Sequence, residues 1–363
     1  MEYVGLAIFY FACLQFFVAF VNLIFSSKIP KSVHTSNDLV SVAIPVRNEE
    51  ANIEKTLQSI INQDYKNIEI LIYNDFSTDN TQQIIEKYEQ IDSRIRLITP
   101  VTLPNDWLGK NFACYNLAQH AQGKYILFLD ADVTIYHSII EQTIAYAHRY
   151  HLGLISIFPK QLLLSRGEKL VVPFMNFILL TLLPLILVRK SSFVSLSAAN
   201  GQFMFFLNSV YQTMQPHAYV KNNKVEDIAI ARYFKKNRIR ISCNTGDNTV
   251  SCRMYSSYNE AIYGFSKNAK TFFGNSLLLA FLFVLVQLFG WIVVLWMLPI
   301  SYFFFYVFMQ IFTKIFVLHI SKHSIIENLL FSYFHIISLG VSLLQGIKFS
   351  LKKNYKWKGR NII

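Results

Sequence analysis

The apolar run Tyr125 to Leu129 passes directly into Asp130-Ala131-Asp132. Two carboxylates at that spacing offer hard oxygen ligands, and magnesium usually takes one or two carboxylates and leaves its other positions to water and phosphate oxygens. One Asp of the pair can hold such an ion while its neighbour orients a ribose or an ion-bound water. The same triplet also serves in capping turns. A second cluster, Glu226-Asp227, precedes the helical run Ile228 to Phe234. Carboxylates at a helix start cap it or complement its dipole, and one within reach of a hydroxyl can also take its proton. A third, Asn74-Asp75-Phe76-Ser77-Thr78-Asp79, follows the apolar run Ile68 to Tyr73, and Ser77 or Asp79 can cap the helix after it. Each cluster alone has a structural explanation. Their presence together, in this order on one domain, points to a site with a cation, a base and a polar ligand pocket.

The elements around these clusters set where they fall. Val40 to Val46 is a β-branched run ending near Pro45, and Ile53, Leu57, Ile60 and Ile61 follow at helical spacing. Ile68 to Tyr73 predicts a second strand, Ile84, Ile85 and Tyr88 a short helix, and Ile95 to Ile98 a third strand. A helix ending near Ala121 and a fourth strand, Tyr125 to Leu129, complete the series. This alternation predicts an α/β domain with a mostly parallel sheet, whose ligands gather at the carboxyl ends of the strands.

Composition adds a membrane. Of the 363 residues 53% are hydrophobic and only 15% charged, an excess over ordinary soluble domains. Tyr3 to Phe25 carries no charge and is long enough for one span. Ser276 to Thr313 is also uncharged and is long enough for two, divided at Pro299. The first block lacks a basic n-region and a small-residue cleavage site, so it reads as a retained anchor. The expected organisation is an anchor over 1–26, a catalytic domain over 37–268, a membrane region over 276–347 and a basic tail over 348–363. The apolar stretch 170–188 is expected as an interfacial or re-entrant element, since a crossing there would separate Asp132 from Asp227. The net charge of +12 comes largely from Lys28, Lys31 and the tail residues Lys348, Lys352, Lys353, Lys356, Lys358 and Arg360. Such clusters mark the cytoplasmic side and contact anionic headgroups, and no nucleic-acid fold signature accompanies them. The positive-inside rule conflicts with three crossings after the domain, so Ile325 to Ile347, interrupted by Glu327 and His335, is expected not to cross. The cysteines Cys13, Cys114, Cys243 and Cys252 show no ligand spacing and read as reduced thiols, while His148 and His151 read as a solvated helix face.

The motifs at residues 40 to 268 resemble a family 2 glycosyltransferase. "VSVAIPVRNEE" is similar to that family's first strand and donor-binding turn, "NDFSTDNT" to its base- and ribose-binding loop, "DAD" to its D-x-D and "VEDIAIARYF" to its catalytic segment. The resemblance implies a GT-A fold, Rossmann-like, with transmembrane helices at both ends of the chain. It implies Pro45, Arg47 and Glu49 at the nucleoside pocket and Asp75 on the base. It also implies Asp132 as principal ligand of Mg2+ or Mn2+, Asp130 beside ribose and metal, and Asp227 as general base with Glu226 at its side. "DWLGKNFACYNLA", "NGQFMFF", "YGFSKN" and "WKGR" resemble bacterial enzymes that glycosylate polyisoprenoid lipids, the carotenoid and hopanoid-associated group. In the first of these, Lys110 follows Trp107-Leu108-Gly109, where the flexible glycine lets the chain bend and the amine approach a diphosphate. The Q-x-x-R-W motif of processive synthases is absent.

The implied function is inverting, metal-dependent transfer from a nucleotide-sugar donor, a UDP-sugar, to a hydroxyl or carboxyl of a membrane lipid such as a carotenoid. The implied setting is a multi-pass protein of the cell membrane with a cytoplasmic catalytic domain. The alternatives are transfer to a polyprenyl phosphate or another lipid, and a non-enzymatic assembly subunit.

Overall fold

Buried strands need apolar side chains on both faces, and Val40–Val46 meets this with every residue but Pro45 buried. The computed structural model describes residues 2–25, 28–31, 37–352, 356–357 and 360–361. In the basic tail, Lys353 and Lys358 lie outside them. After helix α1 (Glu2–Ile24) come β1 (Val40–Val46), α2 (Ile53–Ile61), β2 (Ile68–Asn74), α3 (Thr81–Ile91) and β3 (Ile95–Ile98). The chain continues through α4 (Gly109–His120), β4 (Tyr125–Leu129), β5 (Val133–Ile135), α5 (Ile139–Tyr150), β6 (Leu154–Phe158) and β7 (Lys160–Gln161). Next are α6 (Arg166–Val171), α7 (Pro173–Leu182), α8 (Leu185–Lys190), β8 (Phe203–Leu207), α9 (Asn208–Met214) and α10 (Pro216–Tyr219). The last elements of the domain are α11 (Glu226–Lys236), β9 (Ile241–Thr245), β10 (Val250–Cys252) and α12 (Tyr258–Ser266). Helices α13 (Leu277–Met297), α14 (Ile300–Ser321), α15 (Ile325–Leu330) and α16 (Ser332–Lys352) follow.

The seven-stranded sheet runs β3-β2-β1-β4-β8-β6-β9. Its pairs are parallel except where β8 lies antiparallel to both β4 and β6. The reversal has a consequence: Phe203, at the start of β8, pairs with Leu129, at the end of β4. The loop entering β8 therefore lies at the carboxyl edge where the other strands deliver their ligand-facing turns. A small sheet, β5-β10-β7, pairs Cys252 with Val133 and Gln161, which places that thiol beside the Asp130-Ala131-Asp132 turn.

One face of the large sheet packs Val42, Ile44, Ile70 and Leu127 against Leu57, Ile85 and Ile140. The other face begins with Ala43, Leu71 and Phe128 and continues without a break through Phe174, Phe265, Phe283 and Leu339 into the C-terminal helices. Among the described residues α1, α13, α14 and α16 are long and apolar enough to cross a membrane.

The N-terminal helix is built into the protein rather than tethered to it. Gln15 is fully buried; its Nε2 donates to Thr181 Oγ1 at 3.3 Å, and its Oε1 accepts from Gln287 at 2.7 Å. Pro184 breaks the chain between α7 and α8, and Asn22 makes hydrogen bonds at the break. Its amide donates to the Leu180 and Leu183 carbonyls and accepts from Leu185 N–H. Hydrogen bonds of this kind hold apolar helices together where hydrophobic burial gives no preference. Within the stretch 170–188, α7 thus lies against α1 and α14, with Phe174 and Leu180 buried, while α8 packs on β9 of the sheet.

The block expected from Ile325 to Ile347 is split at Phe331. Near the start of α16, His335 Nε2 lies 2.8 Å from the Lys169 carbonyl of α6, and near its end the Phe349 ring is 5.2 Å from Tyr263 of α12. Both ends of this helix touch the α/β domain, through α6 and α12.

Candidate active site

Lys110 sits in the first turn of α4, where a cation is slightly unfavourable. Its side chain turns inward. Nζ lies 2.8 and 2.9 Å from the two carboxylate oxygens of Asp130 and 3.3 Å from Glu226 Oε1. Burial lowers the amine's pKa, but Asp130 and Glu226 outweigh it and hold Lys110 protonated well above its ordinary range.

Gly201, in the loop entering β8, allows this approach through space rather than backbone conformation. A Cβ there would stand 3.0 Å from Glu226 Oε1 and 3.2 Å from Lys110 Nζ. Its N–H donates to Asp227 Oδ2 at 3.0 Å, while Ile228 N–H donates to Oδ1 at 2.7 Å. The loop is pinned by Asn200, whose N–H donates to Ser156 Oγ at 2.7 Å and whose carbonyl accepts from the same hydroxyl at 3.1 Å. Burial first, and the neighbouring Glu226 second, push the Asp227 carboxyl up to about 7.

Asp132 ends the turn after β4. Thr56 of α2 fixes that turn by donating to the Ala131 carbonyl at 2.8 Å. Burial, then Asp130 and Glu49, raise the Asp132 carboxyl to about 7, and Oδ1 is buried with no hydrogen-bond partner. The Cys252 thiol lies beside this carboxylate and accepts from Gln202 Nε2 at 2.9 Å.

The four carboxylates Asp130, Asp132, Glu226 and Asp227 face one ammonium. Such an excess of buried negative charge is stable only by protonation or by a cation. An orphaned Asp132 oxygen beside Asp130 fits a hard divalent ion that draws its remaining ligands from water and phosphate, although no group of three or more His, Cys, Asp or Glu is assembled among the described residues.

The other predicted residues form an adjoining wall. Arg47 Nη1 donates to the Asp75 carbonyl at 2.5 Å and lies 4.0 Å from its carboxylate. Asp75 N–H donates to Val46 O, Asn48 N–H to Ser77 Oγ and Glu49 N–H to Thr81 Oγ1, stitching the turns after β1 and β2 together. Pro45 stands in β1 opposite Tyr73. Glu49 joins this wall to the acidic centre through its field on Asp132.

Sequence reasoning missed Cys252, which lies beside Asp132, Gln202, which donates to that thiol and whose carbonyl accepts from Asp130 N–H, and Phe76, a half-exposed aromatic held at φ 52 beside Asp75. A bulky side chain in the left-handed region is strained. The segment "NGQFMFF" was the only signal for Gln202, and nothing in local spacing marked Cys252.

Residues 41–162 match the family model described as Glycosyl transferase family 2. A 4,4'-diaponeurosporenoate glycosyltransferase of Staphylococcus haemolyticus (strain JCSC1435) is 29% identical over 238 residues, covering 63% of this chain and 60% of that protein. The protein of the same description from Staphylococcus aureus (strain USA300) is 33% identical over 137 residues, 36% of this chain and 34% of the relative. This chain therefore matches less than two thirds of the length of these relatives. Among solved structures, a mannosyltransferase from Pyrobaculum calidifontis, in complex with GDP-Man and Mn2+, aligns with a TM-score of 0.55 at 13% identity, covering 95% of this chain and 98% of that one. The shared architecture is the GT-A fold.

Proposed function

We propose, from the premise that this chain carries a family 2 glycosyltransferase domain, that it transfers a sugar from a nucleotide-sugar donor to a hydroxyl or carboxyl of a membrane lipid, a polyisoprenoid of the carotenoid type. The observation that carries this reading is the acidic centre at the end of β4, where Lys110 lies between Asp130 and Glu226, in a domain whose core runs into the membrane-type helices. The names of the staphylococcal relatives support the acceptor class.

In this mechanism Arg47, Glu49, Asp75 and Pro45 hold the nucleoside, with a UDP-sugar as the donor. Asp132 and Asp130 would hold Mg2+ or Mn2+, which when bound supplies positive charge to the departing diphosphate. Lys110, kept protonated by its neighbours, adds a fixed charge in the same place, and preorganised charge of this kind is often the largest catalytic contribution. Asp227, fixed by two backbone N–H groups and raised to about 7, takes the proton of an acceptor hydroxyl as its oxygen bonds to the anomeric carbon and the bond to the diphosphate breaks. Glu226 orients Lys110. Glu226 and Asp130 are both engaged by Lys110, which favours a single displacement with inversion over a covalent intermediate.

The test is expression of the chain in a pigment-producing host with defined lipids. A carotenoid gaining one hexose mass is expected. Transfer to polyprenyl phosphate alone would replace the acceptor, and no transfer to any lipid would favour an assembly subunit.

The same reading places the catalytic domain in the cytoplasm, with α1, α13 and α14 crossing and α16 lying in the plane of the membrane. Contact of both ends of α16 with the domain supports this arrangement, as does the basic tail, which it keeps inside. A cysteine introduced near Lys353 is expected to react with a membrane-impermeant reagent only after the cytoplasmic face is opened. Labelling from outside intact cells would show that α16 crosses.

A further inference from the structure

A pocket separate from the acidic centre lies between α7, α14, α15 and α16, with Phe177, Lys314, Asn328, Ser332 and His335 among its lining residues and an interior of about 30 Å³. Lys314 stands about two turns before the end of α14 that adjoins the catalytic domain. Among the described residues no carboxylate pairs with it; its neighbour is the Tyr333 ring, 5.7 Å from Nζ to centroid. The elements that enclose it offer no anion of their own. Helices α7, α14 and α16 contain no acid. Glu327 of α15 turns away to Lys169 at 2.8 Å, and Glu168 of the adjacent α6 is held by Arg253 at 2.7 Å. An ammonium in an apolar setting without a counter-charge is costly, and such residues in apolar helices commonly mark a ligand site. A second observation points the same way. Asn328 is 4% exposed, its amide nitrogen donates to Ser324 O at 2.8 Å, and its Oδ1 is buried with no donor. The pocket thus presents a cation and an unsatisfied acceptor.

We propose that this pocket binds a lipid headgroup that is both anionic and hydroxylated, of the phosphatidylglycerol kind, with its phosphate on Lys314 and a hydroxyl donated to Asn328 Oδ1. An interior of about 30 Å³ admits a hydroxyl-sized group and not a whole headgroup, so the phosphate remains at the mouth. The site requires nothing of the sugar-transfer reading: it would anchor the catalytic domain against the anionic leaflet whatever the acceptor.

The experiment uses the purified full chain in nanodiscs of phosphatidylcholine doped with phosphatidylglycerol, phosphatidic acid or neither, with retained lipid measured by mass spectrometry. Wild type is expected to retain phosphatidylglycerol over phosphatidylcholine, and Lys314→Met and Lys314→Gln should each lower that preference by about fivefold, the weight of one basic side chain at an anionic lipid. Both should unfold in pure phosphatidylcholine no earlier than wild type, since they remove an unpaired cation. Lys322→Gln, at the exposed end of α14, should keep the preference. Asn328→Leu should lose only the preference for phosphatidylglycerol over phosphatidic acid. Undiminished preference in both Lys314 variants would overturn the site. Equal retention of phosphatidic acid by wild type would overturn the hydroxyl assignment, and displacement by free glycerol phosphate at similar concentration would overturn the lipid source.

Discussion

Asp132→Ala is expected to lower transfer by about 10³, the upper end of what loss of one fixed electrostatic group costs, and to weaken donor binding in parallel. The physical reason is the buried, unpartnered Oδ1 and a carboxyl raised to about 7 by burial and by Asp130 and Glu49. Such a group gains most from a cation, and its removal leaves Asp130 alone, already neutralised by Lys110 at 2.8 Å. Asp130→Ala should cost less, about 10- to 100-fold, because that residue orients more than it ligates. The measurements are initial rates against donor and metal concentration and nucleotide-sugar binding by calorimetry. Full wild-type activity in the presence of a chelator would remove the metal from the mechanism.

Asp227→Asn is expected to lower kcat toward a hydroxyl acceptor by about 10² to 10⁴ while leaving donor affinity near wild type. Asn keeps the size and one acceptor oxygen, so the hydrogen bond from Gly201 N–H survives and the base does not. The pH dependence bears on both raised carboxyls. Asp227 and Asp132 each ionise at about 7, so wild-type activity should fall steeply as pH drops through it. The residual activity of the Asn variant should fall less steeply, keeping only the limb of Asp132. The stability effect has the opposite sense. A raised carboxyl favours the folded state at low pH, and that contribution is lost as pH rises from the ordinary carboxylate range through about 7. The variant should therefore unfold later than wild type above pH 7. A carboxylate or phosphate acceptor arrives ionised and needs no base, so equal turnover by the variant and wild type would identify that acceptor class and reject the base.

Much of the fold was legible because its signals are local. Ile95–Ile98 and Tyr125–Leu129 are the strands expected from their apolar runs, and Glu226 begins α11 where the acidic pair precedes a helical pattern. Periodicity and length likewise marked α1 and the pair α13 and α14 divided at Pro299. The break at Phe331 was not legible, because Ile325 to Ile347 reads as one apolar block and only packing on α6 and α12 divides its roles.

The sequence by itself determined which residue types are present and in what order, hence the three acidic clusters, the strand and helix alternation and the apolar blocks, since each depends on neighbours along the chain. Tertiary structure decided the rest. The antiparallel β8 brings Gly201 to the end of β4, and only across that junction can Lys110, Asp130, Glu226 and Asp227, drawn from three separate segments, share one electrostatic centre. The pairing of β10 with β5 and β7 places Cys252 beside Asp132, and the break at Pro184 gives Asn22 backbone groups to bond. These contacts depend on distances between residues far apart in the chain, which no local pattern of residue types encodes.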